Sequence, residues 1–268
     1  MVEEILLYIF LAIFTGFFAG MLGIGGGVFL VPGLTFIFTL FDFDKSFAIK
    51  HAIATSLAVM VFTAISSSYV HFKKKHILFE IVKKMFFAIV LGTILGSFLT
   101  HLINEKYLRI FFAIFLFFVS MKMLIGFKKE YKRNKINLFF FNIVGFLIGL
   151  KSGILGVGGG TVSVPFLSYI KTPMRNAIGT SSFFTLIIGI VGSICFYFFG
   201  QNSNFGSLGY IYTPALVSVF PFTIISAYIG AKTTRFVNQR VLQIVFGFLL
   251  ILVCMKMVFL DSILSFGF

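Results

Sequence analysis

Two clusters of glycines with the same spacing are the residues best placed to do chemistry in this sequence. They read GMLGIGGGVFLVP at 20–32 and GILGVGGGTVSVP at 153–165. Glycine costs about 1 kcal/mol in a helix interior and adopts positive φ readily, so each cluster is predicted to break a helix. Backbone amides freed at the start of the next helix favour an anion. Neither cluster matches the Walker or the G-x-G-x-x-G nucleotide motif.

Helix packing is the alternative use for glycine. Pairs such as Gly16–Gly20 and Gly92–Gly96 have the small-xxx-small spacing that lets helices approach closely, and packing is the favoured interpretation there. Four glycines fall within 23–27 and four within 156–160, which is more than a packing face needs. For these clusters we favour a break at a binding site.

Hydroxyl pairs occur at matching places in the two halves of the chain. Thr55 and Ser56 follow KHAIA, and Thr180 and Ser181 follow RNAIG. A hydroxyl near a helix start either bonds to backbone groups or donates to an anion, and the sequence leaves both open. Thr161 follows the second glycine cluster, where the first has Val28, so a polar site there is predicted to be asymmetric.

Lys151 is the basic residue most deeply placed in an apolar segment, two positions before Gly153. A lysine within a membrane segment is costly and indicates function by default, and it could pair with a bound anion. The alternative is that it extends to a water-filled vestibule. His51 lies beside the first hydroxyl pair; it could carry a proton, but a solvated position at the interface is favoured.

Acidic residues are absent from the apolar segments, which argues against a cation substrate or a carboxylate proton relay. No paired carboxylates, Ser-His arrangement or metal-ligand cluster indicates an enzyme, and no cofactor is expected. All eight acids lie at the termini or in the gaps between segments: Glu3, Glu4, Asp42, Asp44, Glu80, Glu105, Glu130 and Asp261.

The composition places these residues in a membrane. Hydrophobic residues make up 59%, charged residues 11%, and the mean hydropathy is +1.07, whereas soluble domains are about a quarter charged. The net charge of +14 comes mostly from Lys and Arg in the gaps between apolar segments, as in cytoplasmic membrane loops. We therefore predict an all-α polytopic membrane protein and no nucleic-acid partner.

The chain is an internal duplication. The glycine clusters match at an offset of 133 residues, and LRIFFAIFLFFVSMKM (108–123) matches LQIVFGFLLILVCMKM (242–257) at 134. The predicted organisation is an N-terminal repeat (1–127), a basic cytoplasmic linker (128–135) and a C-terminal repeat (136–268). Each repeat is predicted to hold four or five spans.

Segment lengths and charges predict the topology. Segments 28–41 and 161–170 are short against a core about 30 Å thick, so each is predicted to be one arm of a glycine-broken hairpin. The hairpins either cross fully, which gives ten spans, or re-enter, which gives eight. The repeat-equivalent loops 71–84 and 200–212 are lysine-rich and uncharged respectively, which predicts that the two repeats are inverted. The remaining predicted segments are 5–22, 48–70, 85–103, 108–126, 137–155, 176–199, 213–231 and 241–259.

The two GxxGxGGG clusters, each followed by A-x-x-T-S (52–56 and 177–181), resemble those of the TauE/SafE-type sulfite exporter family over nearly the whole chain. The resemblance implies a multi-pass protein of the bacterial inner membrane. It also implies small anionic substrates: sulfite, sulfonates and related organosulfur or carboxylate compounds.

The expected function is alternating-access export of a small anion, with sulfite or a related organosulfur anion as substrate. Proton-coupled uptake through His51 or Lys151, an anion channel, and a lipid-acting enzyme are the alternatives. Expected partners are the anion, the lipid bilayer and a possible second copy of the chain. The predicted substrate-binding residues are Gly23, Gly25, Gly26, Gly27, Thr55, Ser56, Lys151, Gly156, Gly158, Gly159, Gly160, Thr161, Thr180 and Ser181.

Overall fold

Helices account for almost all of the backbone in the computed structural model. It describes residues 2–23, 25–41, 43, 47–125, 137–200, 206–233, 247–248, 251–252 and 254–255. The first half contains α1 (Val2–Leu22), α2 (Gly27–Leu40), α3 (Ala48–Lys73), α4 (Phe79–Leu102) and α5 (Glu105–Ile125). The second contains α6 (Leu138–Leu155), α7 (Gly160–Tyr169), α8 (Met174–Phe199), a short antiparallel hairpin of β1 (Ser207–Leu208) and β2 (Ile211–Tyr212), and α9 (Thr213–Thr233).

The predicted segments correspond to helices, with one clear difference in extent. Helix α4 begins at Phe79 rather than at 85, because Val82 and Met85 are buried while Lys83 and Lys84 remain exposed on the same turns. The β1–β2 hairpin within the uncharged 200–212 loop was not expected. The linker 128–135 and most of segment 241–259 lie outside the described residues.

Six of the described helices are long and apolar enough to cross a bilayer: α1, α3, α4, α6, α8 and α9. Helices α2 and α7 have 14 and 10 residues, about 21 and 15 Å at 1.5 Å per residue. The fold class of an all-α polytopic membrane protein is therefore confirmed, with two helices too short to span the bilayer.

Each short helix folds back along the helix before it. Phe29 of α2 packs 5.5 Å from Phe14 of α1, and Phe166 of α7 packs 5.7 Å from Phe141 of α6. The predicted glycine-broken hairpins are present in both halves. Pro32 and Pro165 lie inside their helices without ending them. Each proline removes a single N–H, and the buried neighbours keep the helix in place.

The two halves are joined crosswise by close helix packing. Gly149 of α6 faces the backbone of Ile89 and Thr93 in α4, and Gly16 of α1 faces the backbone of Thr223 in α9. A side chain at either glycine would collide with these backbone atoms. Helix α1 therefore stays with α9, and the equivalent α6 stays with α4.

The residues in contact show whether two packed helices run parallel or antiparallel. Gly92 and Gly96 of α4 face Phe146 and Leu150 of α6, so α4 and α6 run parallel. Helices α3 and α8 run antiparallel, since Ser67 meets Ser182 and Leu57 meets Gly192. Inverted repeats require an antiparallel pairing of equivalent helices such as α3 and α8. The inversion of the repeats across a bilayer stays a prediction.

Candidate functional site

Glycine ends the long arm of both hairpins. Gly23 follows α1 with φ +66°, and Gly156 follows α6 with φ +64°. In each case the glycine amide donates to a carbonyl of the last helical turn, Ala19 O or Ser152 O, at 2.9 Å. A left-handed residue in this position stops a helix, and glycine adopts it without a steric penalty. The sequence-predicted breaks are therefore present where expected.

The two breaks lie against each other in the interior. A Cβ on Gly25 would come 3.0 Å from Gly158 Cα, and one on Gly27 would overlap the carbonyl oxygen of Gly156. All eight glycines of the two clusters are buried. Only glycine permits this backbone-to-backbone approach. The structure thus brings together the two sets of glycines that the sequence predicted to form one site.

Backbone amides are left free at this contact. In the described part of the chain, the amide nitrogens of residues 157–161 have no hydrogen-bond acceptor. The residues preceding α2 and α7, Gly26 and Gly159, offer no side-chain cap. Two helix starts with partial positive charge therefore lie beside the contact, which is the electrostatic condition that an anion requires.

Ser56 and Ser181 join each repeat to the break of the other. The hydroxyl of Ser56 donates to Gly156 O at 2.9 Å, and that of Ser181 donates to Gly23 O at 2.8 Å. These bonds satisfy two carbonyls freed at the helix ends. Of the two roles left open by the sequence, the structure displays bonding to the backbone, at the breaks themselves.

Thr55 and Thr180 are turned to loops instead of the breaks. Thr55 Oγ1 accepts from the amide of Tyr212 at 2.9 Å, and Thr180 Oγ1 accepts from the amide of Leu78 at 3.0 Å. Each threonine thus holds the residue just before a helix of the opposite repeat, α9 for Thr55 and α4 for Thr180. The hydrogen bonds of these two predicted residues therefore go to the loops and not to the glycines.

Lys151 and Thr161 meet at the second break. The ammonium of Lys151 donates to Thr161 Oγ1 at 2.7 Å and to Gly158 O at 3.1 Å, and it lies 5.3 Å from the ring centroid of Phe115. Lys151 is partly buried. The helical hairpin positions both residues, since Lys151 is on α6 and Thr161 on α7. A positive charge therefore stands beside the free amides, as an anion site would need.

The site is polar on the side of the second repeat and apolar on the other. Ser163 Oγ donates to Ser181 Oγ at 2.8 Å, whereas the position equivalent to Ser163 is Leu30. Phe18 replaces Lys151 in the first repeat and packs 6.4 Å from Phe29. The predicted asymmetry is thus present. Ser163 and Phe115 were not among the predicted residues, although the offset of 133 marked Ser163 as a departure from symmetry.

Two polar residues at the opposite end of α3 from the lysine-rich loop are more buried than expected. Glu105 begins α5 and is 8% exposed, with a carboxylate that accepts from the amide of Ile49 in the first turn of α3. His51 is 0% exposed and lies 5.1 Å from Phe43 and 5.6 Å from Tyr210, centroid to centroid. The expectation of a solvated His51 was wrong, because the β1–β2 hairpin and residue 43 cover it.

Apolar spans, paired hairpins and a buried break with free amides define a multi-pass membrane transporter. The sulfite exporter TauE/SafE family matches residues 8–257, and the chain belongs to this family. It is 33% identical to a probable membrane transporter protein of Haemophilus influenzae, over 94% of this chain and 97% of that protein.

Other relatives carry the same description. A probable membrane transporter protein of Methanocaldococcus jannaschii is 30% identical over 92% of this chain and 94% of its own length. The probable membrane transporter protein YunE of Bacillus subtilis is 23% identical over 93% and 95% respectively. No solved structure matches the chain.

Proposed function

We propose that this transporter exports a small anion, sulfite or a related organosulfur anion, by alternating access at the two glycine breaks. The observation that carries the proposal is the contact between the breaks. There the amides of residues 157–161 have no acceptor in the described chain, and the Lys151 ammonium lies 3.1 Å from Gly158 O.

Lys151 supports the choice of an anion over a cation. Its ammonium is bonded to an oxygen of the break and to Thr161, so a bound anion would replace or share partners that the lysine already holds. The helix starts add a second source of positive potential. A metal cation at the same place would be repelled by both.

Crosswise packing indicates which parts would move. Helices α1, α2, α3 and α9 pack together, as do α4, α6, α7 and α8, and α3 packs on α8 between the two groups. We take these groups as the two moving units. The breaks lie at this boundary, since Gly27 meets Gly156. Rotation of one unit against the other would open the breaks to alternate sides while preserving the close α1–α9 and α4–α6 pairs.

Flux from proteoliposomes tests the proposal. The purified transporter is reconstituted, loaded with sulfite, and placed under a potassium-valinomycin potential. An inside-negative potential favours anion export by about 2.3 kcal/mol per charge per 100 mV, so efflux should accelerate. Lys151→Met should reduce efflux at least about tenfold, the loss expected for about 1.4 kcal/mol of interaction, while Lys106→Met at an exposed position should not.

Three outcomes would contradict the proposal. The first is a flux of sulfite, thiosulfate, sulfonates and small carboxylates no greater than that from liposomes without the protein. The second is equal flux in the Lys151 and Lys106 variants. The third is the observation of single-channel currents. Flux that requires a pH gradient would instead support the alternative of proton-coupled uptake.

A further inference from the structure

Two tyrosine–lysine pairs stand together where α3 and α9 end. Lys73 Nζ lies 4.6 Å from the ring centroid of Tyr69, and Lys232 Nζ lies 4.3 Å from that of Tyr228. Both pairs have the i, i+4 spacing that places side chains on one helix face. Tyr69 is 50% and Tyr228 37% exposed. We call these four residues the basic corner.

The two pairs form one positively charged surface. Helices α3 and α9 run side by side in the same direction, since the rings of Phe62 and Phe220 lie 4.8 Å apart and Ser66 Oγ donates to Ile224 O at 2.8 Å. In the described part of the chain, no ion pair joins a carboxylate to Lys73 or Lys232. Among the described residues, the charge of this corner is therefore not neutralised.

The duplication supplies an internal comparison. Helices α3 and α8 correspond at the offset of 125 residues set by KHAIATSL and RNAIGTSS. Helices α4 and α9 correspond at 134, since Gly96 and Gly230 pack on the equivalent carbonyls of Leu150 and Phe17. The corner equivalent to the basic corner is therefore made of Ile194, Phe198, Ile94 and Phe98.

The equivalent corner is just as exposed but entirely apolar. Ile94 and Phe98 are 41% and 43% exposed, and Ile194 and Phe198 are 53% and 58% exposed. The repeat-equivalent helix ends thus carry only apolar side chains at one corner, and lysine and tyrosine side chains at the other. Packing within the fold cannot explain the difference, because these side chains are exposed at both corners.

We propose that the basic corner binds the phosphate group of an anionic phospholipid in the adjacent leaflet. Ammonium groups and phenol hydroxyls can both donate to phosphate oxygens, and lysine and tyrosine are suited to the headgroup level. Exposed apolar residues one turn deeper, Ile65 and Ile225 at 51% and 62%, provide contact for the acyl chains. This combination fits a lipid rather than free phosphate.

Lipid-dependent thermal unfolding tests the site. Unfolding of the purified, detergent-solubilised chain is followed by thiol-dye labelling, since Cys195 is a buried free cysteine. Phosphatidylglycerol should raise the unfolding midpoint, while phosphatidylcholine and inorganic phosphate should not. A lysine near the surface contributes about fivefold to anionic-lipid affinity, so Lys73→Gln with Lys232→Gln should raise the half-saturating phosphatidylglycerol concentration about 30-fold.

The matched control removes the same charge elsewhere. Lys83→Gln with Lys84→Gln, at two exposed lysines of α4, removes the same charge but neither tyrosine–lysine pair, and it should raise the half-saturating phosphatidylglycerol concentration clearly less. Equal weakening in both double variants would show a general charge effect and overturn the proposal. So would an unchanged response in the Lys73 and Lys232 variant, or stabilisation by inorganic phosphate or phosphatidylcholine to the same extent.

Discussion

The hydroxyl of Ser181 in α8 donates a 2.8 Å hydrogen bond to the carbonyl oxygen of Gly23 at the end of α1. The equivalent bond runs from Ser56 to Gly156 O at 2.9 Å. Each repeat therefore completes the broken helix of the other. Because bare carbonyls are costly in hydrocarbon, neither hairpin has its end satisfied without the opposite repeat.

Removing these hydroxyls should destabilise the fold unequally. Ser181→Ala leaves Gly23 O and the hydroxyl of Ser163 without their partner, whereas Ser56→Ala leaves only Gly156 O. We expect losses of about 1–3 kcal/mol per unsatisfied buried group, and hence the larger loss for Ser181→Ala. Thermal unfolding in detergent measures both. Ser218→Ala, which removes an exposed hydrogen bond to Pro214 O in α9, is the control, and a loss as large there would contradict the assignment.

Gly27 should tolerate no side chain, although Gly159 should accept one. A Cβ on Gly27 overlaps Gly156 O, while one on Gly159 meets only side-chain atoms, 3.2–3.4 Å away. Gly27→Ala should cost about 1–3 kcal/mol through overpacking and abolish flux, because the breaks can no longer touch. Gly159→Ala should transport at close to the normal rate. Flux and thermal unfolding are measured for both variants. If the two variants behave alike, glycine is not required at position 27 by the close approach of the two breaks.

Cross-linking should distinguish contacts that persist from those that change during transport. After replacement of Cys195 and Cys254, a disulfide in Ala88→Cys/Gly145→Cys would join α4 to α6 within one unit, where a Cβ on Gly145 would lie 3.2 Å from the Cβ of Ala88. A disulfide in Ser67→Cys/Ser182→Cys would join α3 to α8, whose hydroxyl oxygens are 3.1 Å apart. Flux should survive the first and stop with the second.

Reduction of the disulfides provides the control for this experiment. Flux through the Ser67/Ser182 variant should return when the disulfide is reduced, which separates immobilisation from damage to the fold. Full activity with that disulfide intact, or loss of activity with the α4–α6 disulfide intact, would show that the boundary lies elsewhere.

His76 should make stability dependent on pH. Burial lowers the pKa of its imidazole from the ordinary value, as do the positive charges of Lys74 and Arg175; the ring of His71 lies 5.9 Å away. As the pH falls, His76 therefore binds a proton in the unfolded chain before it does so in the folded one. The free energy of unfolding that depends on neutral His76 is lost as the pH falls below about 6.5. In the variant His76→Gln, the midpoint of thermal unfolding should depend less on pH in this range. An unchanged curve would contradict the role of His76.

The sequence by itself determined the helical membrane architecture, the duplication and the two glycine breaks. Hydrophobic runs of span length have few alternatives in a bilayer, and a repeated cluster of four glycines can hardly be accommodated inside a continuous helix. The asymmetry between Lys151 and Phe18 and the two short arms also followed from pattern alone.

Tertiary structure decided what each polar group does. The neighbouring residues Thr55 and Ser56 look interchangeable along the chain, yet one holds the amide of Tyr212 and the other the carbonyl of Gly156, since adjacent helix positions point about 100° apart. The burial of His51 and Glu105 depends on segments distant in sequence. Above all, the contact between Gly27 and Gly156 depends on the packing of α3 against α8, and no local pattern encodes which helices of two similar repeats will pair.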